Sequence, residues 1–205
     1  MAKVHFYYSA MNAGKSTTLV QSSHNYRERG METLVFTPFI DTRLGKNAVT
    51  SRIGLSVAAT CFDSTLNFFV FTETALENNP NIRCILIDEA QFLSKEQVWQ
   101  LSDVADLLNI PVLTYGLRSD FMGNPFEGST HLLAIADQLI EIKTICHCGK
   151  KATMNMRVDS HGNKVVEGKQ VEIGGNDRYV STCRHHYKLG ISQNRQTKKK
   201  LSSAI

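Results

Sequence analysis

The sequence predicts an α/β protein, in which a parallel sheet is flanked by helices and followed by a smaller C-terminal module. Short apolar runs alternate with helical segments over the first two-thirds of the chain. A small glycine-containing turn joins the first of these runs to the first helical segment, and cysteine–histidine pairs follow residue 145. Because strand–helix–strand units at short spacing take right-handed crossovers, this alternation predicts a parallel sheet.

The first elements follow from the apolar pattern. Residues 4–8 are predicted to form a strand, and residues 15–29 a helix that Gly30 closes, since glycine readily adopts the left-handed conformation at a helix end. Residues 33–37 form the next predicted strand. Residues 41–56 are polar and are predicted to be irregular.

The middle of the chain continues the alternation. Residues 66–76 are predicted to form a helix whose phenylalanines face the core. Ile82–Ile87 is a continuous apolar run, which is typical of a strand buried on both faces. Ser94 and Gln97 form a capping-box pattern at the start of a helix that runs to about residue 108. The last two predicted strands, both buried, are residues 111–115 and 139–145.

Length and composition limit the class of protein. The chain has 205 residues, of which 42% are hydrophobic and 20% are charged. That is enough apolar mass for a core, so disorder throughout the chain is excluded. No stretch approaches the roughly 18 uncharged apolar residues of a membrane span, and the N-terminus lacks the small-residue cleavage site of a signal peptide. We therefore expect no membrane partner.

The net charge of +4 is concentrated at the C-terminus. Residues 189–205 contain the whole surplus and no acidic residue. The rest of the chain is balanced in charge, so we expect no nucleic-acid partner for the folded body. We interpret residues 189–205 as a basic, disordered tail.

Residues 9–16 lie between the first predicted strand and the first predicted helix. They match the phosphate-binding pattern G-x-x-x-x-G-K-[ST], except that Ser9 replaces the first glycine. Gly14 lets successive N–H groups turn inward, and the helix N-terminus adds partial positive charge. Lys15 would reach the β- and γ-phosphates, and Ser16 could ligate Mg²⁺. The predicted ATP-binding residues of this loop are Ser9, Ala10, Met11, Asn12, Ala13, Gly14, Lys15 and Ser16.

A second half of the nucleotide site is expected at the end of a buried strand. Asp88 and Glu89 directly follow the apolar run that ends at Ile87. Asp88 would hold the hydration shell of Mg²⁺, and Glu89 would lie near the γ-phosphate. In a hydrolase Glu89 would orient water, whereas in a kinase it would accept the proton of the attacking hydroxyl. The two halves together predict a sheet of the P-loop NTPase type.

Cysteine and histidine residues form two short knuckles, at residues 146–148 and 183–186. Two such knuckles supply the four thiolate or imidazole ligands of a closed tetrahedral Zn²⁺ site, so the metal would be structural. The fourth ligand could be His185 or His186, and the usual knuckle spacing favours the second; His147 is a weaker competitor. The predicted metal ligands are Cys146, Cys148, Cys183 and His186.

Several longer segments agree with one family. They are Asp41-Thr-Arg43, Asp88-Glu-Ala-Gln91-Phe92, Tyr115-Gly-Leu117 through Phe121, Pro125-Phe126-Glu127-Gly128 and Val171-Glu-Ile-Gly-Gly-Asn-Asp-Arg-Tyr179. With the phosphate loop and the cysteine–histidine knuckles, the chain resembles the type II thymidine kinases, the zinc-containing family of bacteria and animal cytosol. The resemblance covers roughly residues 3–188.

The resemblance implies an activity. A member of this family would use ATP with Mg²⁺ to phosphorylate the 5′-hydroxyl of thymidine, and of deoxyuridine, with Glu89 as general base. It also implies a structural Zn²⁺ and adds Asp41, Asp88, Glu89, Ala90 and Gln91 to the ATP site. The substrate-binding residues that it implies are Met11, Arg43, Phe121, Gln170, Val171, Glu172, Ile173, Gly174 and Tyr179.

The chemistry of these residue types suits a neutral nucleoside. Phe121 can stack on a pyrimidine ring, and the glycine pair at residues 174–175 allows close backbone approach. Backbone N–H and C=O groups can read the imide edge of the base, because a mismatched base leaves buried polar groups unpaired.

The change of character after residue 145 predicts a division of the chain, and the resemblance implies an assembly and a location. Residues 1–145 would form the ATP-binding α/β domain, residues 146–188 a zinc-binding subdomain with a loop that covers the substrate, and residues 189–205 the tail. The protein would be a cytoplasmic homotetramer, with thymidine triphosphate as feedback inhibitor.

Two other functions compete with a kinase. The segment Asp88-Glu-Ala-Gln91 also matches a nucleic-acid-dependent ATPase, but helicase motors need two motor modules, and the folded body lacks surplus positive charge. A zinc-ribbon binding module with a degenerate nucleotide site is the other alternative. The intact segments Gly14-Lys15-Ser16 and Asp88-Glu89 argue against it.

Overall fold

A computed structural model describes residues 1–39, 47–170 and 179–192. The chain divides into two compact units. The first unit comprises Met1–Tyr8, Gly14–Arg118 and Pro125–Ile142. The second comprises Ser9–Ala13, Ser119–Asn124 and the described residues after Ile142.

The first unit is an α/β unit. Its strands are β1 (Val4–Ser9), β2 (Glu32–Pro38), β3 (Ala48–Thr50), β4 (Ser56–Ala58), β5 (Thr60–Phe62), β6 (Ile82–Ile87), β7 (Val112–Leu117) and β8 (Gln138–Glu141). Its helices are α1 (Lys15–Arg27), α2 (Phe68–Asn78), α3 (Lys95–Leu107) and α4 (Glu127–Ile135), with a 3-10 turn at Ala90–Phe92. Six strands form a parallel sheet in the order β5-β2-β6-β7-β1-β8. The predicted parallel sheet with flanking helices is thus confirmed.

Strand β6 lies near the centre of the sheet and is buried on both faces. Ile85 and Ile87 pack in one apolar cluster, and Cys84 and Leu86 pack in the cluster on the other face. All four side chains are inaccessible to solvent. Because alternate residues of a strand point to opposite faces, this split shows that both sides of the sheet are covered.

Helix boundaries follow local signals where these exist. Ser94 caps α3, and its side chain and that of Gln97 form the expected capping box. Helix α1 ends two residues earlier than predicted, and Gly30 then turns the chain with a positive φ of 73°. The side chain of Asn67 caps α2.

Two sequence predictions need correction, and one helix was not predicted. Residues 139–145 do not form one buried strand: β8 is a half-exposed strand at the sheet edge, where only one neighbour covers it. Residues 41–56, predicted to be irregular, include β3, which pairs with β4 as an antiparallel hairpin. Helix α4 escaped prediction because Phe126, its N-cap residue, supplies no side-chain cap.

The second unit is built from short antiparallel pairs. Its elements are β9 (Thr144–Ile145), β10 (Lys151–Ala152), β11 (Met154–Arg157), β12 (Tyr179–Thr182) and α5 (Arg184–Leu189). Strand β9 pairs with β10, and β11 pairs with β12. Within the described residues, no helix has the length and apolar character needed to cross a membrane.

Candidate active site and metal centre

The phosphate-binding pattern lies in the loop between β1 and α1. Gly14 has a φ of 89° and is the residue before the first turn of α1. Asn12 also has a positive φ, of 62°. Gly14 has no side chain that could cap the helix, and the N–H groups of a first helical turn are suited to binding an anion.

Lys15 is a buried cation at the start of α1. Only 8% of the residue is exposed. Burial lowers the pKa of its ammonium group, while the charges of Glu89 and Asp88 oppose that change. A buried ammonium group can donate charge-assisted hydrogen bonds to the negative oxygens of a phosphate.

Asp88 follows the last residue of β6, at the carboxyl end of the sheet. The hydroxyl of Ser16 donates to its Oδ2 at 3.2 Å. Burial raises the pKa of Asp88 to about 7, and the neighbouring charge of Glu89 adds to this effect. Its Oδ1 is buried and has no hydrogen-bond partner among the described residues. A hydroxyl and an orphaned carboxylate oxygen are hard ligands, so these two residues fit Mg²⁺.

Glu89 is held in an unusual conformation next to Asp88. Its φ of 48° lies in the left-handed region, which few residues other than glycine adopt. The amide Nε2 of Gln91 donates to Glu89 Oε2, and Gln91 Oε1 accepts from the backbone N–H of Leu117 at 3.0 Å. A Cβ on Gly116 would lie 3.0 Å from Gln91 Oε1, so glycine leaves room for this buried amide.

The N-terminus of α4 supports the same turn. A Cβ on Gly128 would lie 2.5 Å from the carbonyl oxygen of Ala90 and 2.8 Å from that of Leu93. The hydroxyl of Ser129 donates to the carbonyl of Leu117. Helix α4 therefore packs directly on the backbone that follows Glu89.

Four cysteine and histidine side chains converge in the second unit. The ligand atoms of Cys146, Cys148, Cys183 and His186 all lie within 4.8 Å of one another. The Nδ1 of His186 lies 3.4 Å from Cys146 Sγ and 3.6 Å from Cys183 Sγ, and Cys148 Sγ lies 3.9 Å from Cys183 Sγ. Two sulfurs bound to one tetrahedral zinc at about 2.3 Å would lie roughly 3.7 Å apart. The group could therefore bind zinc.

The competing histidines lie outside this group. His147 stacks on the ring of His186 with a centroid distance of 4.3 Å. The ring of His185 lies 5.4 Å from that of His186 and belongs to no such cluster. Nδ1 of His147 lies 3.6 Å from Cys146 Sγ, but within the described residues only His186 of the three histidines belongs to the group of converging ligand atoms.

Other predicted substrate residues also lie in the second unit. Phe121 is buried, and the Arg157 guanidinium lies 5.3 Å from the centroid of its ring. The hydroxyl of Tyr187 donates to the carbonyl of Phe121 at 2.6 Å. Tyr179 begins β12 opposite Arg157, and Gln170 donates to Asp120 at 3.1 Å.

Comparison with known proteins decides the family. The family model described as thymidine kinase matches residues 2–187, which is nearly the whole chain. The chain belongs to the thymidine kinase family. This confirms the resemblance and the prediction of a kinase.

Individual relatives of the chain are likewise described as thymidine kinases. A thymidine kinase of Coxiella burnetii is 62% identical over 97% of this chain and 100% of the relative. One from Legionella pneumophila strain Lens is 62% identical over 93% of this chain and 91% of the relative. One from Vibrio cholerae is 61% identical over 94% of this chain and 100% of the relative.

Six of the residues that resemblance to the thymidine kinases adds to the site lie outside the described residues. They are Asp41, Arg43, Val171, Glu172, Ile173 and Gly174. The structure places the other predicted site residues in the two units: Gly14–Ser16 and residues 88–91 in the first, and Ser9–Ala13, Phe121, Gln170, Tyr179 and the cysteine–histidine group in the second.

Proposed function

We propose that the protein transfers the γ-phosphoryl group of ATP to the 5′-hydroxyl of thymidine, and of deoxyuridine, giving the nucleoside monophosphate and ADP. The observation that carries this proposal is the cluster of Lys15, Ser16, Asp88 and Glu89, in which Lys15 and Asp88 are buried. Membership of the thymidine kinase family supports the choice of acceptor.

ATP would be held through its phosphates. The N–H groups of the loop and the ammonium of Lys15 would neutralise the negative charge that builds up on the transferring group. Ser16 and Asp88 would hold Mg²⁺, which when bound supplies further positive charge at the β- and γ-phosphate oxygens. The residues proposed to bind ATP are Ser9, Ala10, Met11, Asn12, Ala13, Gly14, Lys15, Ser16, Asp41, Asp88, Glu89, Ala90 and Gln91.

Glu89 would be the general base. Its carboxylate would accept the proton of the 5′-hydroxyl as the oxygen attacks the γ-phosphorus in line with the departing ADP. The hydrogen bond from Gln91 supports this role, because it fixes the orientation of the carboxylate. The ammonium of Lys15 lies close enough to interact electrostatically with this carboxylate.

The nucleoside would be bound by groups of low charge. The residues proposed to contact it are Met11, Arg43, Phe121, Gln170, Val171, Glu172, Ile173, Gly174 and Tyr179. The buried position of Phe121 supports a part for its segment in shaping the thymine site. Backbone groups of residues 170–179 would read the base.

The zinc would be structural. Cys146, Cys148, Cys183 and His186 supply four ligands, which leaves no position for a reacting water or substrate. We also propose that the chain divides into residues 1–145, 146–188 and 189–205, and that the metal orders the second of these parts.

Zinc thiolates and free cysteines suit the reducing cytoplasm, where we expect the enzyme to work. We expect it to be a homotetramer that thymidine triphosphate inhibits.

One assay tests the proposal. Purified protein is incubated with Mg²⁺, ATP and thymidine, and ADP and thymidine monophosphate are measured together. We expect ADP and thymidine monophosphate in equal amounts. Deoxyuridine should also be phosphorylated, and DNA should not stimulate the hydrolysis of ATP. ATP hydrolysis that DNA stimulates, with no monophosphate formed, would instead support a nucleic-acid-dependent ATPase.

A variant tests the assignment of the base. Glu89→Gln should lower kcat by roughly 100- to 10,000-fold, the usual contribution of general base catalysis, while nucleotide binding persists. Glu73→Gln, at an exposed position of α2, is the matched control and should leave kcat unchanged. Near-normal turnover of Glu89→Gln would remove Glu89 from the mechanism.

A further inference from the structure

Both backbone polar groups of Met11 form hydrogen bonds with the hairpin of β11 and β12. Its N–H donates to Asn155 Oδ1 at 2.7 Å, and its carbonyl accepts from the hydroxyl of Ser181 at 2.5 Å. Asn155 lies in β11 and Ser181 in β12, where they are direct partners in the antiparallel register. All three residues belong to the second unit.

The side-chain amide of Asn155 forms a hydrogen bond at each end. Only 3% of the residue is exposed, and its Nδ2 donates to the carbonyl of Ser119 at 2.9 Å. The amide therefore joins the segment Ser9–Ala13 to the segment Ser119–Asn124, which contains Phe121. A buried amide that is satisfied at both ends is costly to replace, since either partner would be left unpaired.

The backbone conformation of the next residue, Asn12, explains why the backbone of Met11 needs these hydrogen bonds. Asn12 has a φ of 62°, a left-handed conformation that costs free energy in any residue other than glycine. A strained turn of this kind persists only when its surroundings fix it. The two hydrogen bonds to Met11 fix the peptide groups immediately before Asn12.

We propose that Asn155, together with Ser181, is a positioning residue for the phosphate loop. By fixing the Met11 backbone, the pair keeps the peptide groups from Met11 to Ala13 in the arrangement that receives a triphosphate. A preorganised loop loses less conformational entropy when nucleotide binds. This inference rests on the proposed function, because it assumes that the loop binds ATP.

The same hairpin connects the loop to the metal-ligating group. Cys183 follows β12 directly and is the residue before the first turn of α5. Ser181 lies two residues before it. Loss of the metal should therefore weaken nucleotide binding as well as nucleoside binding, although none of the four ligands belongs to the phosphate loop.

The test measures the affinity for Mg–ADP by calorimetry, with thermal unfolding recorded in parallel. Asn155→Leu removes the acceptor for Met11, whereas Asn155→Asp retains a carboxylate oxygen that can accept from it. We expect the first variant to bind Mg–ADP roughly 10- to 100-fold more weakly, and the second to recover most of that loss. Both variants lose the donor to Ser119, so a comparable loss of thermal stability is expected in each.

Ser181→Ala is the milder variant, in case Asn155→Leu does not fold. It should weaken Mg–ADP binding, whereas Thr182→Val should not, because the buried hydroxyl of Thr182 has no hydrogen-bond partner within the described part of the chain. Unchanged affinity in Asn155→Leu and Ser181→Ala, or equal losses in Asn155→Leu and Asn155→Asp, would overturn the inference.

The same measurement separates failure of this inference from failure of the proposed function. A wild-type chain that binds Mg–ADP but forms no thymidine monophosphate would contradict the proposed function alone. A wild-type chain that binds no nucleotide would contradict both.

Discussion

The buried amide of Gln91 donates a hydrogen bond to the carboxylate of Glu89, two residues earlier in the chain. Its other end accepts from the backbone N–H of Leu117, at the end of the neighbouring strand β7. Gln91, which is only 3% exposed, thus links the carboxylate of Glu89 to the carboxyl end of β7. If Glu89 is the base, Gln91 sets the direction from which it meets the nucleoside.

The first prediction concerns Gln91→Leu. This variant should lower kcat by roughly 10- to 100-fold, because a freely rotating carboxylate is misplaced by about an ångström for much of the time. The KM for ATP should change less. Steady-state kinetics with ATP and thymidine varied in turn would measure both.

A second buried glutamine provides the control for Gln91→Leu. Gln97 in α3 is 2% exposed and donates to the carbonyls of Asp63 and Leu66. Gln97→Leu should lower thermal stability, since it leaves buried carbonyls unpaired, but it should keep kcat near normal. Equal decreases of kcat in the two variants would mean that Gln91 acts only through stability.

The second prediction concerns pH and Asp88. Burial raises the pKa of Asp88 in the folded protein to about 7, above its ordinary value of 3.8. The folded state therefore favours the protonated acid, and the stability that this gives is complete below the ordinary value and is lost as the pH rises to about 7. In buffer without magnesium or nucleotide, the wild type should lose thermal stability relative to Asp88→Asn over that range.

An exposed aspartate serves as the reference for Asp88. Asp103→Asn, in α3, should follow the wild type at every pH. Melting temperatures recorded for the three proteins at several pH values would show the difference. A constant gap between the wild type and Asp88→Asn from acid to neutral pH would contradict the raised pKa.

Much of the first unit could be predicted because its signals are local. The run Ile82–Ile87 is apolar at every position except Arg83, and it becomes a central strand, while Ser94 and Gln97 form the capping box that their spacing predicts. Gly14, Lys15 and Ser16 lie where a strand gives way to a helix, so their pattern predicts a structure as well as a chemistry. Helix α4 has no comparable signal, because it starts through the packing of Gly128 on the turn at Ala90.

The supports of the candidate site could not be predicted in the same way. Asn155 and Ser181 contact Met11 across 144 and 170 positions of the sequence. Nothing near Asn155 in the sequence shows that its amide will be buried, and the pairing of β11 with β12 is set by tertiary structure. The candidate metal ligands form the exception, because thiolate and imidazole side chains have few other uses in such close pairs.

The third prediction concerns zinc. The purified protein should contain one zinc ion per chain, and Cys183→Ala and His186→Ala should each lose metal and thermal stability, because a metal that binds only the folded state stabilises it. Metal analysis and thermal unfolding measure the two effects. His185→Ala should retain the metal, since His185 lies outside the group of four ligands.

A cysteine outside that group provides a second control. Cys84, a residue of β6, is buried in the core, so Cys84→Ala should lower thermal stability without loss of zinc. Zinc at the wild-type level in His186→Ala, or zinc lost from His185→Ala, would show that the fourth ligand is wrongly assigned.

The fourth prediction concerns Gly128 in α4. Alanine is usually the better helix former, by about 1 kcal/mol. Here, however, the new methyl group would lie 2.5 Å from the carbonyl oxygen of Ala90, and backbone cannot move aside as a flexible side chain can. We expect Gly128→Ala to lower the free energy of unfolding by about 1–3 kcal/mol, the usual cost of overpacking.

The displaced backbone in Gly128→Ala is the turn that directly follows Glu89, so kcat should fall together with stability. Gly54→Ala is the control: Gly54 has a φ of 85°, but its Cβ would meet no atom within 4 Å. That variant should pay only the cost of a left-handed alanine, about 1–2 kcal/mol, and should keep its kcat. Denaturant unfolding and steady-state kinetics on both proteins would decide, and a Gly128→Ala enzyme of normal stability and kcat would show that α4 can shift away without disturbing Glu89.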